Sequence, residues 1–407
     1  MGKVQNKDKP RGPNYGSYDR LEIEAFILTR VVSNIKERTI IAALRDTLGL
    51  DGWNHDQIQN VKRTANKQGR YRQLYTHHEG PDAFKMLSTY LHTKYPATFK
   101  QLQSIYTAEA SDIAKLGADT LCNEIATYFE RNKTIDEIHI GIAGGRTTGL
   151  MAEPLVAFLS DESRWSKLVL DRTKAIHFHS LVGLFNCDDP LIEPNSLMST
   201  LAARVEAITN KLTLRLHMLP SPGIVTKHEY QLLTQPYNGI QLIEKALAYK
   251  YILNIIVLSM GHWGAGHNSL FDYITTACNS SRLLTDAWEK SKAKLAQSGI
   301  IGDVAWCPIG KNGIISVDTE LEIIKMLTLE EMCNIVYGNH SDPRAKGVRR
   351  ENGKSIVLVS PCKSPNCQRS KGDLLAALMQ MPKLPASHII ADWKSIRDCR
   401  AALNLSN

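Results

Sequence analysis

From about residue 135 onward, short apolar segments alternate with amphipathic helical segments, and this alternation limits the folds open to the chain more than any other feature. The apolar segments have the length of buried strands, and helical patterns separate them. They are IDEIHIGIAGG, AIHFHSLVG, LRLHMLP, NIIVLSMG, SIVLVS and HIIA. Strands that alternate with helices predict an α/β fold, with a Rossmann-like, mostly parallel sheet and helices on both faces.

The part of the chain before these strands is helical in pattern. Residues 1–17 are rich in Lys, Asn, Gly and Pro without apolar periodicity, so we expect a flexible tail. Residues 18–80 contain three amphipathic patterns and predict a small helical domain. Residues 81–407 form the predicted α/β domain, and its first helical stretch, up to residue 132, has the appearance of a connector.

The positive charge of the chain is concentrated near its N-terminus. The formal net charge is +8, and residues 1–75 contain 14 Lys or Arg against 8 Asp or Glu. Such a region suits a nucleic acid or another polyanionic partner. A solvated basic face is the alternative interpretation.

Other whole-chain features restrict the class of protein. There is no apolar run long enough to span a membrane and no signal-peptide pattern at the start, so we expect a cytoplasmic protein without a membrane partner. The eight Cys are scattered, without the spacing of a disulfide scaffold or a zinc site. The sequence predicts no metal site and no cofactor.

The first strand pattern runs into the glycine-rich turn GIAGGRTTG at residues 141–149. Gly144 and Gly145 allow the backbone to approach an anion, Arg146 adds a charge, and Thr147 and Thr148 offer hydroxyl groups. The turn lacks the GxGxxG spacing of a dinucleotide site and the GK[ST] of a nucleotide-triphosphate loop. A tight strand-to-helix turn without a ligand is the alternative.

Similar polar or glycine-rich clusters follow the later strands. They are SLVGLFN, LPSPGIV, LSMGHWGAGHNSLF and GIIGDVAWCPIGKNG, and LTLEEM, SIVLVS, KGDLLAALMQM and HIIADWKSIRDCRAAL continue the series. In order and separation, this series resembles the effector-binding domain of SorC-like transcriptional regulators, over roughly residues 85–405.

The resemblance implies a phosphorylated sugar at the ends of the strands. It places a phosphate at the turn of residues 145–148, sugar hydroxyls near Asp303 and a cation at Lys371. Backbone amides, hydroxyls and a Lys suit a phosphate, while a carboxylate accepts hydrogen bonds from sugar hydroxyls. The predicted ligand-binding residues are Gly144, Gly145, Arg146, Thr147, Thr148, Gly261, His262, Asp303 and Lys371.

Two segments depart from the family pattern. The fourth strand end carries His262, Trp263 and His267, which suit a bulkier ligand or simple packing. The segment SPCKSPNCQRSK, with Cys362 and Cys367, replaces a short glycine pair and makes the register of the cation uncertain. We expect this loop to add positive charge near the ligand, with Lys371 more important than Lys363, and not to form a disulfide or a metal site.

SorC-like regulators carry a helix-turn-helix ahead of the sensor domain. The stretch DQIQNVKRTANKQG takes the place of the recognition helix, and a strand is expected from Arg70 to Tyr75. Lys62, Arg63, Lys67 and Arg70 are then the predicted DNA-phosphate contacts, as is Arg72, and Gln57, Gln59 or Asn60 would reach base edges. Because the segment LGLDGWNHD makes a long turn, a helical dimerisation or linker domain remains the alternative.

The sequence therefore predicts a metabolite-responsive transcriptional regulator that binds a phosphorylated sugar or related anionic metabolite and assembles as a homo-oligomer. No acid–base pair stands out in the spacing of Asp303, His262 and His267, so we do not expect an enzyme. A sugar-phosphate isomerase or deaminase-like enzyme is one alternative. A ligand sensor that acts through a protein partner is another.

Overall fold

A computed structural model describes most of the chain. The described residues are 23–24, 26–28, 36–48, 50–67, 81–105, 109–160, 174–184, 193–206, 212–234, 247–264, 270–279, 281–339, 352–362 and 370–405. The chain divides into two compact units. The first contains Met1–Glu79 and Ser104–Ala108, and the second contains Gly80–Gln103 and Glu109–Asn407.

The smaller unit has a helical core. Its helices include α1 (Glu37–Leu48) and α2 (His55–Lys67), and residues 23–24 and 26–28 are also helical. One apolar cluster joins them, formed by Ile23, Phe26, Ile27, Leu28, Ile40, Leu44, Leu50, Trp53, Ile58 and Val61. Asn54 and Gln57 begin α2 with a capping box, because each side chain accepts a hydrogen bond from the other's backbone N–H.

The larger unit contains the remaining helices and the strands, apart from Ser104 and Ile105 at the end of the first strand, which belong to the smaller unit. The strands are β1 (Gln101–Ile105), β2 (Glu137–Ile142), β3 (Lys174–Ser180), β4 (Leu212–His217), β5 (Ile224–Thr226), β6 (Ile255–His262), β7 (Ile300–Val304), β8 (Cys307–Gly310), β9 (Gly313–Ile314), β10 (Leu321–Ile323), β11 (Lys354–Val359) and β12 (His388–Asp392). The helices are α3 (Pro81–Lys94), α4 (Ala110–Arg131), α5 (Arg146–Gly149), α6 (Ala152–Leu159), α7 (Pro194–Glu206), α8 (Lys227–Thr234), α9 (Leu270–Asn279), α10 (Arg282–Gln297), α11 (Leu329–Val336), α12 (Gly372–Gln380) and α13 (Trp393–Ala402), and a 3-10 turn covers Tyr249–Ile252.

The main sheet is mostly parallel, which confirms the fold class predicted from the sequence. Its strand order is β1-β12-β11-β6-β2-β3-β4, and the pairs from β12 to β4 are all parallel. All six strand segments predicted from apolar runs are present. Residues Ile256, Val257, Ile356 and Val357 are fully buried in the centre of this sheet, as expected for strands covered on both faces.

The order of the strands reverses between β2 and β6. The chain builds β2, β3 and β4 outward on one side, and then returns to place β6, β11 and β12 on the other side of β2. At such a reversal the loops that follow two neighbouring strands run in opposite directions and leave a crevice at the carboxyl ends. A ligand site is therefore expected at the carboxyl ends of β2 and β6.

An antiparallel extension continues from the end of β6. Strand β7 pairs with β6, β8 with β7 and β9 with β8, and the register places Asp303 opposite Gly261. The sequence predicts only a glycine-rich cluster here, GIIGDVAWCPIGKNG, and no hairpin. The hairpin was missed because its two turn residues, Ala305 and Trp306, are not residues that normally mark a turn.

Helices α3 and α4 belong to the layers of the larger unit, so the prediction that they form a connector was wrong. Helix α4 packs on α6, β11 and β12, and α3 packs on α13. The Tyr95 hydroxyl, just after α3, is 2.7 Å from the Met379 carbonyl oxygen and 2.5 Å from that of Met381. This contact holds the carboxyl end of α12, whose amino end carries Lys371.

In the part of the chain that the structure describes, every helix is too short or too polar to cross a membrane.

We predict that Tyr95→Phe destabilises the protein by about 1–3 kcal/mol, because the Met381 carbonyl just after α12 loses the buried hydroxyl that donates to it. Tyr90→Phe is the matched control, since the Tyr90 hydroxyl is half-buried and 3.4 Å from the Met379 oxygen. Urea unfolding of both variants measures the difference. Equal losses of unfolding free energy in the two variants would show that the buried Tyr95 hydroxyl stabilises the protein no more than the half-buried Tyr90 hydroxyl does.

Candidate functional site

A cleft lies at the carboxyl ends of β2, β6 and β11, at the point where the strand order reverses. It contains about 680 Å³ that no protein atom occupies, including solvent at its mouth. Eight of the nine predicted ligand-binding residues line it. They are Gly144, Gly145, Arg146, Thr147, Gly261, His262, Asp303 and Lys371.

The turn after β2 passes close to the end of β6. Gly145 has a φ of +132°, and a Cβ atom at this position would lie 2.5 Å from the Ser259 hydroxyl oxygen. The same hydroxyl donates to the Gly144 carbonyl at 3.1 Å. Position 145 therefore requires glycine both for its backbone conformation and for the close approach of β6.

The two threonines of the turn have different roles. The Thr147 hydroxyl is 2.6 Å from the Ser360 hydroxyl and so links the ends of β2 and β11 within the cleft wall. Thr148 donates to the Gly145 carbonyl at 2.7 Å and lies outside the lining of the cleft. Thr148 therefore shapes the turn from below, while Thr147 borders the open space. Arg146, between Gly145 and Thr147, is exposed.

Lys371 is a buried cation in the wall of the cleft, 8% exposed. Its ammonium group donates to the Met260 carbonyl at 2.5 Å. Burial raises the pKa of two nearby carboxyls, Asp303 and Asp392, and the Lys371 charge partly opposes that rise. Its backbone N–H donates to the Ser395 hydroxyl, which in turn donates to Asp392 at 2.6 Å. The position of the ammonium group is thus fixed by strands β6 and β12 together.

Asp303 is a buried carboxyl group, 3% exposed, next to this cation. One carboxylate oxygen accepts from the Trp306 N–H at 3.1 Å, and the other is buried without a hydrogen-bond partner among the described residues. Burial raises the pKa of Asp303 to about 7, against the opposing effects of the Trp306 and Leu270 N–H groups and the Lys371 charge. The group therefore changes charge near neutral pH.

The hairpin turn that positions Asp303 is strained. Ala305 and Trp306 have φ values of +48° and +66°, a conformation that costs L-residues about 1–2 kcal/mol each. The turn is held by the Ala305 N–H, which donates to the Ser259 carbonyl at 3.0 Å. Trp306 is buried in the cleft wall beside Tyr273, with ring centroids 5.6 Å apart. The strain thus places an aromatic ring in the cleft wall.

Several residues of the cleft were not predicted from the sequence. Ser259, Ser360, Trp306 and Tyr273 all line it. The two serines stand at the ends of predicted strands, so the rule that ligands collect at carboxyl ends would have found them. Tyr273 on α9 and Trp306 in the hairpin have no comparable signal, because their positions depend on tertiary packing.

The structure describes only part of the two segments that depart from the family pattern. Trp263 packs edge-to-face on Phe271, with ring centroids 5.3 Å apart, in agreement with the packing alternative. Cys362 borders the cleft and has a reduced thiol. His267, Lys363 and Cys367 lie outside the described residues, so the expected greater importance of Lys371 over Lys363 stays a prediction.

The predicted DNA contacts lie in the smaller unit, and α2 carries three of them. Lys62 pairs with Glu37 of α1 at 2.9 Å, while Arg63 is exposed. The Lys67 side chain and the whole of Arg70, with the strand expected there, lie outside the described residues. Among the candidates for base edges, Gln57 is used in the capping box and Gln59 donates to Glu37 at 2.5 Å. Asn60 is exposed.

We predict that the pKa of Asp303 makes the protein less stable as the pH rises from about 4 to about 7. The folded state keeps this proton up to about pH 7, whereas the unfolded chain releases it near pH 4, so each unit in between costs up to about 1.4 kcal/mol. Asp303→Asn removes this dependence while keeping an acceptor for the Trp306 N–H. Urea unfolding at pH 5, 6, 7 and 8 measures the difference between wild type and variant.

Asp318→Asn is the control for this pH dependence. Its carboxylate is exposed and pairs with Lys227, which lowers its pKa, so this variant should differ from wild type by a constant amount above pH 5. A constant difference between wild type and Asp303→Asn over the same range would contradict the raised pKa of Asp303.

Comparison with known proteins finds similarity among solved structures. No protein-family model matches the chain. No curated protein matches it either.

Several of the similar solved structures are transcriptional regulators, and one is a 6-phosphogluconolactonase from Plasmodium vivax. A DeoR family transcriptional regulator from Listeria monocytogenes is 14% identical with a TM-score of 0.48, and the match covers 78% of this chain and 99% of that one. For the full-length sorbitol operon regulator SorC from Klebsiella pneumoniae the identity is 13%, the TM-score 0.47 and the coverage 95% and 100%. A transcriptional regulator from Streptococcus pneumoniae is 14% identical, with a TM-score of 0.46 and coverage of 78% and 97%.

Proposed function

We propose that the cleft binds a phosphorylated sugar or a related anionic metabolite, and that the chain acts as a metabolite-responsive transcriptional regulator. The observation that carries the first part is the pairing of a buried cation, Lys371, with a buried carboxyl, Asp303, in one cleft at the strand-order reversal. An anion and a set of hydroxyl groups are the ligand chemistry that such a pair recognises.

The phosphate would lie against the turn after β2. The first N–H groups of the helical segment that follows Gly145 have no acceptor within that segment, and Arg146 and Thr147 border the same space. Lys371 supplies a cation from the opposite wall. These donors are suited to a dianion at neutral pH.

The sugar would lie toward Asp303 and His262. A buried carboxylate oxygen without a partner gains a hydrogen bond when a hydroxyl reaches it, which lowers the cost of its charged form. Binding a polyol at this position would therefore release a proton near pH 7. A phosphate alone would not release that proton.

We predict that a hexose phosphate raises the melting temperature and that Lys371→Met weakens its binding by about 10- to 100-fold, since charge-assisted hydrogen bonds are worth about 1.5–3 kcal/mol. Isothermal titration with a panel of sugar phosphates and the matching free sugars measures the affinities. Lys383→Met, which removes an exposed lysine, is the control. Equal binding of free and phosphorylated sugars would place the phosphate contact elsewhere.

The proposal that the smaller unit binds DNA rests on its charge and on the resemblance to SorC-like regulators. Residues 1–75 carry most of the net charge, and the exposed face of α2 includes Arg63 and Asn60. Lys62 is the weaker candidate because Glu37 already neutralises it. A phosphate contact by Lys62 would first have to break this ion pair.

We predict that Arg63→Gln lowers the slope of log K against log salt concentration by about 0.9, the value for one lost phosphate contact, and that Lys62→Gln changes it less. Fluorescence anisotropy with promoter fragments over a salt series gives both slopes. Equal changes of this slope in the two variants would contradict the ion pair between Lys62 and Glu37. Absence of DNA binding at low salt, with and without ligand, would favour a protein partner as the output.

An enzyme remains the second candidate function, and one observation favours it. A buried carboxyl with a pKa of about 7 is suited to taking and returning a proton. A sugar-phosphate isomerase would use Asp303 for that step at a sugar carbon. Incubation of the panel above, followed by analysis for isomerised or deaminated product, separates the two functions, because a sensor returns the ligand unchanged.

A further inference from the structure

A second polar region lies on one face of the main sheet, away from the strand ends that form the cleft. It consists of His139 on β2, His177 and His179 on β3, and His217 on β4. The parallel register pairs His139 with His177 and His179 with His217, so the four side chains emerge on the same face. We call these four residues the histidine cluster.

The rings of the histidine cluster contact each other directly. His139 Nδ1 is 2.9 Å from His179 Nε2, and His177 Nδ1 is 2.9 Å from His217 Nε2. The rings of His179 and His217 stack with centroids 4.3 Å apart, and Tyr249 packs beside both. Each nitrogen–nitrogen contact needs one proton and one lone pair, so at least one imidazole of each pair is neutral.

Burial leaves part of this region without hydrogen-bond partners. His179 is fully buried. His179 Nδ1 and His177 Nε2 are buried and have no hydrogen-bond partner among the described residues. Buried polar atoms of this kind cost free energy unless a partner is supplied. His179 Nδ1, buried without a partner within a group of imidazoles, indicates a missing ligand.

The geometry points to a divalent metal site, and we propose that His139, His177 and His179 bind Zn²⁺. One ring nitrogen from each of the three lies within 4.8 Å of the others. Ligands at about 2.0–2.1 Å from one tetrahedral ion are roughly 3.3 Å apart, so modest ring rotations bring the three together. Neutral imidazole is a preferred ligand of Zn²⁺, and three histidines leave a fourth position for water or His217.

A carboxylate stands behind two of these rings, as is usual for histidines that bind zinc. Glu137 lies 3.7 Å from His177 Nε2 and 4.0 Å from His139 Nε2. A metal bound at the Nδ1 atoms of these two rings would replace their present contacts with His217 and His179. Such a carboxylate orients the ring and raises its basicity as a ligand. Arg215 opposes the site, because its guanidinium lies 3.5 Å from Glu137 and repels a cation.

The histidine cluster has a route to solvent on the side of Glu137. Glu137 and His139 both line a second cleft, which contains about 1,280 Å³ of space, solvent included. An ion can therefore reach His139 without unfolding the sheet. This cleft shares no lining residue with the one that contains Asp303 and Lys371, so the zinc proposal does not depend on the proposed function.

A purely structural role is the competing explanation. In that case the histidine pairs would act as hydrogen-bonded polar packing, much like the serine and threonine contacts elsewhere in the unit. Such packing gives no reason for metal affinity, and its loss would change stability in the same way with and without metal. The experiment below separates the two explanations.

Zinc binding is tested on the full chain after treatment with a chelator and desalting. We expect about one equivalent of Zn²⁺ to bind and to raise the melting temperature by several degrees. His179→Gln should weaken binding at least about 100-fold, since even the loss of an outer hydrogen-bond partner costs about 10- to 100-fold. His228→Gln, which removes an exposed histidine on α8, is the matched control and should bind as wild type does.

Two further variants keep the test decisive if His179→Gln does not fold. Glu137→Gln, at a half-exposed position, should weaken Zn²⁺ binding about 10- to 100-fold, and Arg215→Gln should strengthen it. Co²⁺ bound in place of zinc should give the intense visible absorption of four-coordinate cobalt. Three results would each overturn the proposal. The first is that no metal binds after desalting, and the second is a cobalt spectrum typical of six oxygen ligands. The third is equal Zn²⁺ affinity in wild type, Glu137→Gln and Arg215→Gln.

Discussion

The pairing of β2 with β6 is the constraint on which the rest of the larger unit depends. Ile140, Gly141 and Ile142 of β2 lie beside Ile255, Ile256 and Val257 of β6. This pairing joins two halves of the sheet that the chain builds in opposite directions. The turn after β2 and the hairpin after β6 are thereby brought to one crevice, although more than 150 residues separate Gly145 from Ile300, the first residue of β7. Everything that lines the candidate ligand cleft is arranged around this pair.

Within that crevice, a buried cation and buried carboxyl groups lie close to one another. Lys371 lies between two carboxyls, Asp303 and Asp392, and only burial keeps the first of them from ionising fully at neutral pH. A ligand that brings negative charge and hydroxyl groups would therefore change the balance of protons as well as fill space. The strained hairpin turn at Ala305 and Trp306 fixes the position of the Asp303 carboxyl relative to Lys371.

The sequence was sufficient for the central sheet and for most of the cleft, since long apolar runs and strand-end glycines carry direct signals. It was insufficient for β1, β5, β10 and the hairpin from β7 to β9, which are two to five residues long and depend on neighbours for their pairing. It also missed the histidine cluster. Strands of a buried parallel sheet are expected to be apolar on both faces, so the repeated pattern of IHI, HFH and RLH was the available signal. Thr148 was placed in the cleft from sequence, although its hydroxyl points to the turn beneath it.

Strand β2 is six residues long and serves two regions at once. His139 faces the histidine cluster, while three residues beyond Ile142 the chain reaches Gly145 in the other cleft. Side chains alternate between the two faces of a strand, so a shift of one residue would exchange His139 for an isoleucine and displace the glycine turn as well. Over evolutionary time, point substitutions can adjust either region separately. Insertions and deletions within β2 cannot, and this strand should therefore be the part of the chain whose length varies least among descendants that keep the fold.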